Sequence, residues 1–111
     1  MSRDRGDVYM FGFPEEMGGP HPVVIVSRPT NRSTLIALFI TKTPHDAIDV
    51  VSVASLTSGG PLRGYIRCDQ PYVLVKDSPE WLRFIVKLND VDLATIELGM
   101  KAALGIRREG A

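Results

Sequence analysis

The chain has a single cysteine among 111 residues, so no disulfide can form within it and no cysteine cluster can hold zinc. That scarcity matches a reducing, cytoplasmic compartment. Net charge is absent as well, because thirteen Lys and Arg offset thirteen Asp and Glu. The basic excess of a typical nucleic-acid binder is missing, and an anionic partner would have to be held by a local cluster. No apolar run approaches the length of a membrane span. The opening "MSRDRGDVY" is charged and passes straight into a strand pattern, which is not the pattern of a signal peptide. Repeats, low-complexity tracts and linkers are lacking too. What remains is a 12.2 kDa chain with 44% hydrophobic residues, expected to fold as one domain over residues 1–111 with a core of its own.

Helical periodicity is scarce until the end of the chain, and most of it reads as strand. Residues 6–13, "GDVYMFGF", form a first strand rich in aromatic and β-branched residues. Prolines and glycines make 14–22 a loop. "VVIVSR" at 23–28 and "TLIALFIT" at 34–41 are near-continuous apolar runs joined by the turn "PTNRS", which predicts a hairpin. A loop at 42–48, a shorter strand at 49–54 and a Gly/Pro-rich connection at 55–64 follow. "YIRCD" at 65–69 and "YVLVK" at 72–76 are extended, with Pro71 marking a strand end or an edge because it has no N–H to donate. "DSPEWL" at 77–82 suggests a short helix or turn anchored by Trp81, and "RFIVKL" at 83–88 another strand. Asn89 or Asp90 caps a final helix whose Leu93, Ile96, Met100, Ala103 and Leu104 recur at helical spacing; Gly105 stops it, and "RREGA" frays. Strands without intervening helices predict a mainly β, antiparallel, barrel-like sheet closed by one C-terminal helix.

One stretch carries chemistry. In a strand over "YIRCDQPY", Tyr65, Arg67 and Asp69 share one face, while Ile66 and Cys68 share the other and suit a core. On spacing alone, a surface ion pair that contributes little is the simpler account of Arg67 and Asp69. The functional account is that a carboxylate can take a proton from a hydroxyl while a guanidinium grips a phosphate through two parallel hydrogen bonds. Such a pair suits attack of a ribose 2′-hydroxyl on its neighbouring phosphate. That reaction needs a base, charge stabilisation and a proton for the leaving oxygen. Arg67 stays protonated, so it fits charge stabilisation better than acid catalysis.

"RGDVY" at 5–9, "HPVVIVSRPTNR" at 21–32, "TLIALFIT" at 34–41 and "RCDQP" at 67–71 come in the order and at about the spacing of the MazF/PemK toxins. The sequence resembles that family over nearly its whole length, and "RCDQP" resembles PemK-type members most specifically. The resemblance implies a small SH3-like barrel and a homodimer. It also implies an endoribonuclease that cuts single-stranded RNA without metal or other cofactor, leaving a 2′,3′-cyclic phosphate and a 5′-hydroxyl. An antitoxin whose C-terminal segment covers the active site is implied as partner. Arg67 and Asp69 fall on the family's catalytic arginine and aspartate, and Thr41 on its active-site threonine.

Many members carry an arginine before the proline that opens the second strand; here the residue is His21, in "PHP". The preceding loop lacks the histidine of PemK-type enzymes, so His21 stands as candidate proton donor. Asp69 is then the general base, although His21 and Asp69 could exchange the roles of acid and base. Arg28, Lys42, Gln70 and Tyr65 are the candidate substrate contacts, Tyr65 by stacking on a base. His45, after Pro44, is expected to be exposed in its loop. A rival from another class is a CcdB-type toxin of the same fold, which poisons gyrase without cutting RNA. The ending "KAALGIRREGA" lacks that group's tryptophan-glycine-isoleucine, and "RCDQP" has no task in its mechanism. A silent relative that only binds is the remaining alternative.

Overall fold

A computed structural model describes residues 3–28 and 32–105. The expected turn at 29–33 therefore lies partly outside the described residues, and the expected frayed end at 107–111 lies wholly outside them. Among the described residues six strands form one sheet: β1 (Asp7–Gly12), β2 (Pro20–Ile25), β3 (Thr34–Thr41), β4 (Val50–Ser52), β5 (Tyr65–Val75) and β6 (Trp81–Lys87). The spatial order is β4-β5-β3-β2-β1-β6, and every pairing is antiparallel. One helix, α1 (Asp90–Ala103), follows the last strand. The mainly β architecture with a C-terminal helix is as expected.

The apolar runs alternate between two cores, as the period of a strand requires. Val8, Val24, Leu38, Ile40 and Ile66 pack with Leu93 and Ile96 of α1 on one side. Tyr9, Phe11, Val23, Ile25, Leu35 and Trp81 pack on the other. The first core also joins Val51 of β4 to Leu88 beyond β6, so the sheet curls until its two outer ends share side chains. Leu104, expected in the helix stripe, is instead 74% exposed at the helix end.

Several boundaries differ from expectation. β2 starts at Pro20, inside the expected loop, which otherwise holds a single 3-10 turn at Glu15–Met17. The strand expected over 49–54 is strand only at Val50–Ser52, then a 3-10 turn. Of the short helix or turn expected at 77–82 the turn forms, and Trp81 opens β6 rather than anchoring a helix. Its ring is fixed edge-on against Phe11 at 4.9 Å, and its Nε1–H donates to Val75 O at 2.8 Å. Pro71 does not end β5. The strand runs through it, but β4 pairs only with Tyr65–Arg67, so by Pro71 the β4 side of the strand is already an edge.

Asp92 joins the helix to the rest of the molecule. Asn89 is the N-cap, its side chain accepting from Asp92 N at 2.9 Å. The Asp92 carboxylate, 1% exposed, accepts from Thr57 N at 2.8 Å and Ser58 N at 2.7 Å, and from both hydroxyls. The β4–β5 connection is thereby clasped to the first turn of α1. Burial alone would raise this carboxyl, but the four donors together outweigh it and hold Asp92 below the ordinary carboxylate range. Asp92→Ala is expected to lower stability by about 2–3 kcal/mol in urea unfolding, since charged hydrogen bonds are lost and donors left unpaired. With its folded value depressed, the carboxylate's contribution is complete above about pH 4 and lost on acidification below it, so the gap between wild type and variant should narrow there.

Candidate active site

β5 departs from regular pairing at its candidate site residues. Arg67 stands opposite Phe39, but Pro71 stands opposite Leu38, so Cys68, Asp69 and Gln70 form a three-residue excursion against one step of β3. An odd insertion reverses the faces. Ile66 before it and Cys68 at its start enter the first core, and after it Tyr72 and Leu74 join the second. At Arg67 the strand is held on both sides, by Phe39 of β3 and Val50 of β4. Cys68 N also donates to Asp49 O at 3.1 Å, tying the start of the excursion to the β3–β4 connection.

Asp69 folds back on Arg67 as a fork. Arg67 Nε donates to Oδ1 at 2.9 Å and Nη2 to Oδ2 at 2.8 Å. This hydrogen bonding, with the attraction behind it, holds Asp69 below the ordinary carboxylate range and raises Arg67 further. Both groups are charged at neutral pH, and the pair is lost only as pH falls through the depressed value of Asp69. An aspartate with both oxygens engaged and its proton affinity lowered is suited to aiming Arg67 and poorly suited to accepting a proton.

His45 completes the cluster. Its Nε2 lies 3.2 Å from Arg67 Nη1. The ring is exposed as expected, but its contact with Arg67 was invisible in the sequence, where 22 residues separate the two. The signal that could have pointed to it is modest: one of only two histidines lies four residues after Thr41.

Thr41 ends β3 opposite Tyr65, one pair of residues along from Phe39 and Arg67 on the same face. Its Oγ1 accepts from Thr43 N at 3.2 Å. Gly64, at φ +118°, lets the chain enter β5 so close to β3 that a side chain there would meet Thr41 O at 2.5 Å. Thr41 also lines a cleft of about 360 Å³ with His21, Lys42, Thr43 and Arg63. His21 sits there with its ring 4.4 Å from that of Phe39 and Nδ1 3.3 Å from Ile40 O. Phe39 thus touches His21 and stands across from Arg67, linking the cleft to the cluster.

Lys42 is exposed beside Thr41, Gln70 is half-buried in the excursion, and Tyr65 faces a second cavity of about 430 Å³ with Arg63. Arg28 is not brought to this place. It lies past the Ile25 end of β2, at the end of the sheet opposite His21 and Thr41, lining a groove with Val26 and Met100. Among the described residues no three His, Cys, Asp or Glu side chains are grouped to hold a metal ion, and no helix is long and apolar enough to cross a membrane.

The model of PemK-like, MazF-like toxins of type II toxin-antitoxin systems matches residues 4–104. The chain belongs to that family. No curated protein sequence matches it. Among solved structures, an endoribonuclease in complex with its cognate antitoxin from a mycobacterial species superposes with a TM-score of 0.81 at 24% identity, covering 96% of this chain and 99% of that one. A second mycobacterial endoribonuclease gives 0.78 at 22% identity, with 97% and 96% covered. A MazE–MazF complex from Deinococcus radiodurans gives 0.75 at 17%, with 96% and 99% covered. At these identities the likeness establishes that the toxin has the MazF/PemK fold.

Cys68, inside the toxin motif, is no nucleophile. It is 4% exposed, Gly99 of α1 packs so close that a Cβ there would lie 2.7 Å from its Sγ, and desolvation, aided by Asp49 and Asp69, pushes the thiol up to about 11. A disulfide thiol reagent at pH 8 should leave native protein unmodified and titrate one thiol after unfolding. Rapid reaction of the folded protein would show that the β5–α1 contact opens.

Proposed function

We propose that this toxin is an endoribonuclease that cleaves single-stranded RNA by attack of a 2′-hydroxyl on the adjacent phosphate, giving 2′,3′-cyclic phosphate and 5′-hydroxyl ends without a metal. The observation that carries the reading is the state of Arg67. Of the five N–H donors of a guanidinium, two are taken by Asp69 and one by His45, which leaves one on Nη1 and one on Nη2. These remaining donors are available to the oxygens of a phosphate. Arg67 then binds the phosphate and stabilises the charge that grows on it, and Asp69 keeps the guanidinium aimed. Thr41 supplies a hydroxyl to a phosphate oxygen, and the His21 imidazolium protonates the leaving 5′-oxygen. Lys42, Tyr65 and Gln70 serve in this reading as contacts for neighbouring nucleotides. Further support comes from two mycobacterial proteins of the same fold that are described as endoribonucleases.

The working unit is a homodimer in this reading. Ile36 and Val73, opposed on β3 and β5 and 41% and 71% exposed, offer apolar surface for a second copy to cover. A cognate antitoxin would place an acidic, partly disordered segment across the cationic groups. Two fold relatives are described with their antitoxins.

Arg67→Ala and Asp69→Ala should each reduce cleavage of a single-stranded oligonucleotide at least about 100-fold while the protein stays folded. Wild-type rates in either variant would overturn the assignment. His21→Ala should remove the alkaline limb of the pH–rate profile, because the acid must be protonated to act. Analysis of the termini after incubation with EDTA checks the products and the independence from metal.

A further inference from the structure

We propose that His45 is the general base of the cleavage, accepting the proton of the attacking 2′-hydroxyl at Nε2; the proposal rests on the endoribonuclease reading. A guanidinium has hydrogens to give and no lone pair to offer. Across the 3.2 Å contact with Arg67 Nη1, His45 Nε2 must therefore be the acceptor. The ring is then neutral, with its proton on Nδ1, and presents the lone pair a base needs beside the donors available to phosphate.

The alternatives are occupied elsewhere. Both oxygens of Asp69 accept from Arg67. His21 is directed to Ile40 O and lies against Phe39, on the cleft side. His45 is exposed, in the connection between β3 and β4, where a nucleotide can reach it. Charged groups that interact with it or with its partner include Arg67 and Asp69 of β5 and, acting on Arg67, Asp49 of its own connection; Asp46 is its neighbour in the chain.

In the step itself, the substrate hydroxyl displaces the Arg67–His45 bond. The 2′-oxygen forms its bond to phosphorus while its proton passes to Nε2. The bond from phosphorus to the 5′-oxygen breaks, and that oxygen takes a proton from the His21 imidazolium. Solvent exchange then returns both imidazoles to their starting states, and nothing is oxidised or reduced.

His45→Gln separates a base from a mere support, because a glutamine carbonyl can accept the Arg67 hydrogen bond but cannot carry a proton near neutrality. Its kcat on a single-stranded RNA oligonucleotide should fall about 100-fold or more, and the acidic limb of the pH–rate profile should vanish. Its Kd for the same oligonucleotide with 2′-O-methyl groups should stay within about twofold of wild type, and its thermal unfolding midpoint should match. A His45→Gln variant that cleaves at the wild-type rate and keeps the acidic limb overturns the base. So does one that loses affinity with kcat unchanged. If wild-type protein leaves RNA uncut, the endoribonuclease reading fails, and the role of His45 fails with it.

Discussion

Two parallel hydrogen bonds between Arg67 and Asp69 set the geometry of everything proposed for this toxin, and they lie where β5 carries three more residues than its partner strand. In an unbroken ladder, residues two apart stand side by side and an arginine there would be free to sweep through solvent. The excursion bends Asp69 back onto the guanidinium and removes most of that freedom. A planar cation held by one edge presents the other in a defined direction, which a lysine at the same position would not do.

The scaffold under this pair is arranged to keep it still. Arg67 is the last residue of β5 that is paired on both sides, and the next residue sends Cys68 inward against the helix backbone and Gly99. α1 is in turn clasped by Asp92 to the connection that leads into β5. Helix, connection and strand therefore form a closed circuit of buried contacts, with the exposed polar groups on its outer side. A site whose chemistry depends on distances of about 3 Å needs such backing, since loose supports would blur the alignment of donor and phosphate.

The departure from the family at His21 gains a physical context in the fold. The chain has two imidazoles and places them on either side of the Phe39–Arg67 pair, one at the cleft and one on the guanidinium. Transesterification calls for two proton-transfer groups, one to accept a proton and one to donate it. His45 stands against the Arg67 guanidinium, whereas His21 has an aromatic ring and a carbonyl oxygen beside it. The proposed division of labour follows from these surroundings.

Much of this was legible in the residues themselves. Alternation and apolar runs located the strands near β1, β2, β3 and β6, and the capped periodic stretch located α1, because these signals are local. The sharing of one face by Arg67 and Asp69 followed from the period of a strand, and "RCDQP" with its companion motifs carried the family. Tertiary structure alone decided the rest. β5 continues through Pro71 because β4 is too short to flank it there, which no local rule contains. Arg28 and Thr41 both end apolar runs upstream of the motif, yet the length of the sheet separates them. His45 meets Arg67 only because the β3–β4 connection folds back beside β5. Local sequence sets what each segment can form, but which side chains meet depends on strand order and on where one strand exceeds its neighbour, and those are properties of the assembled sheet.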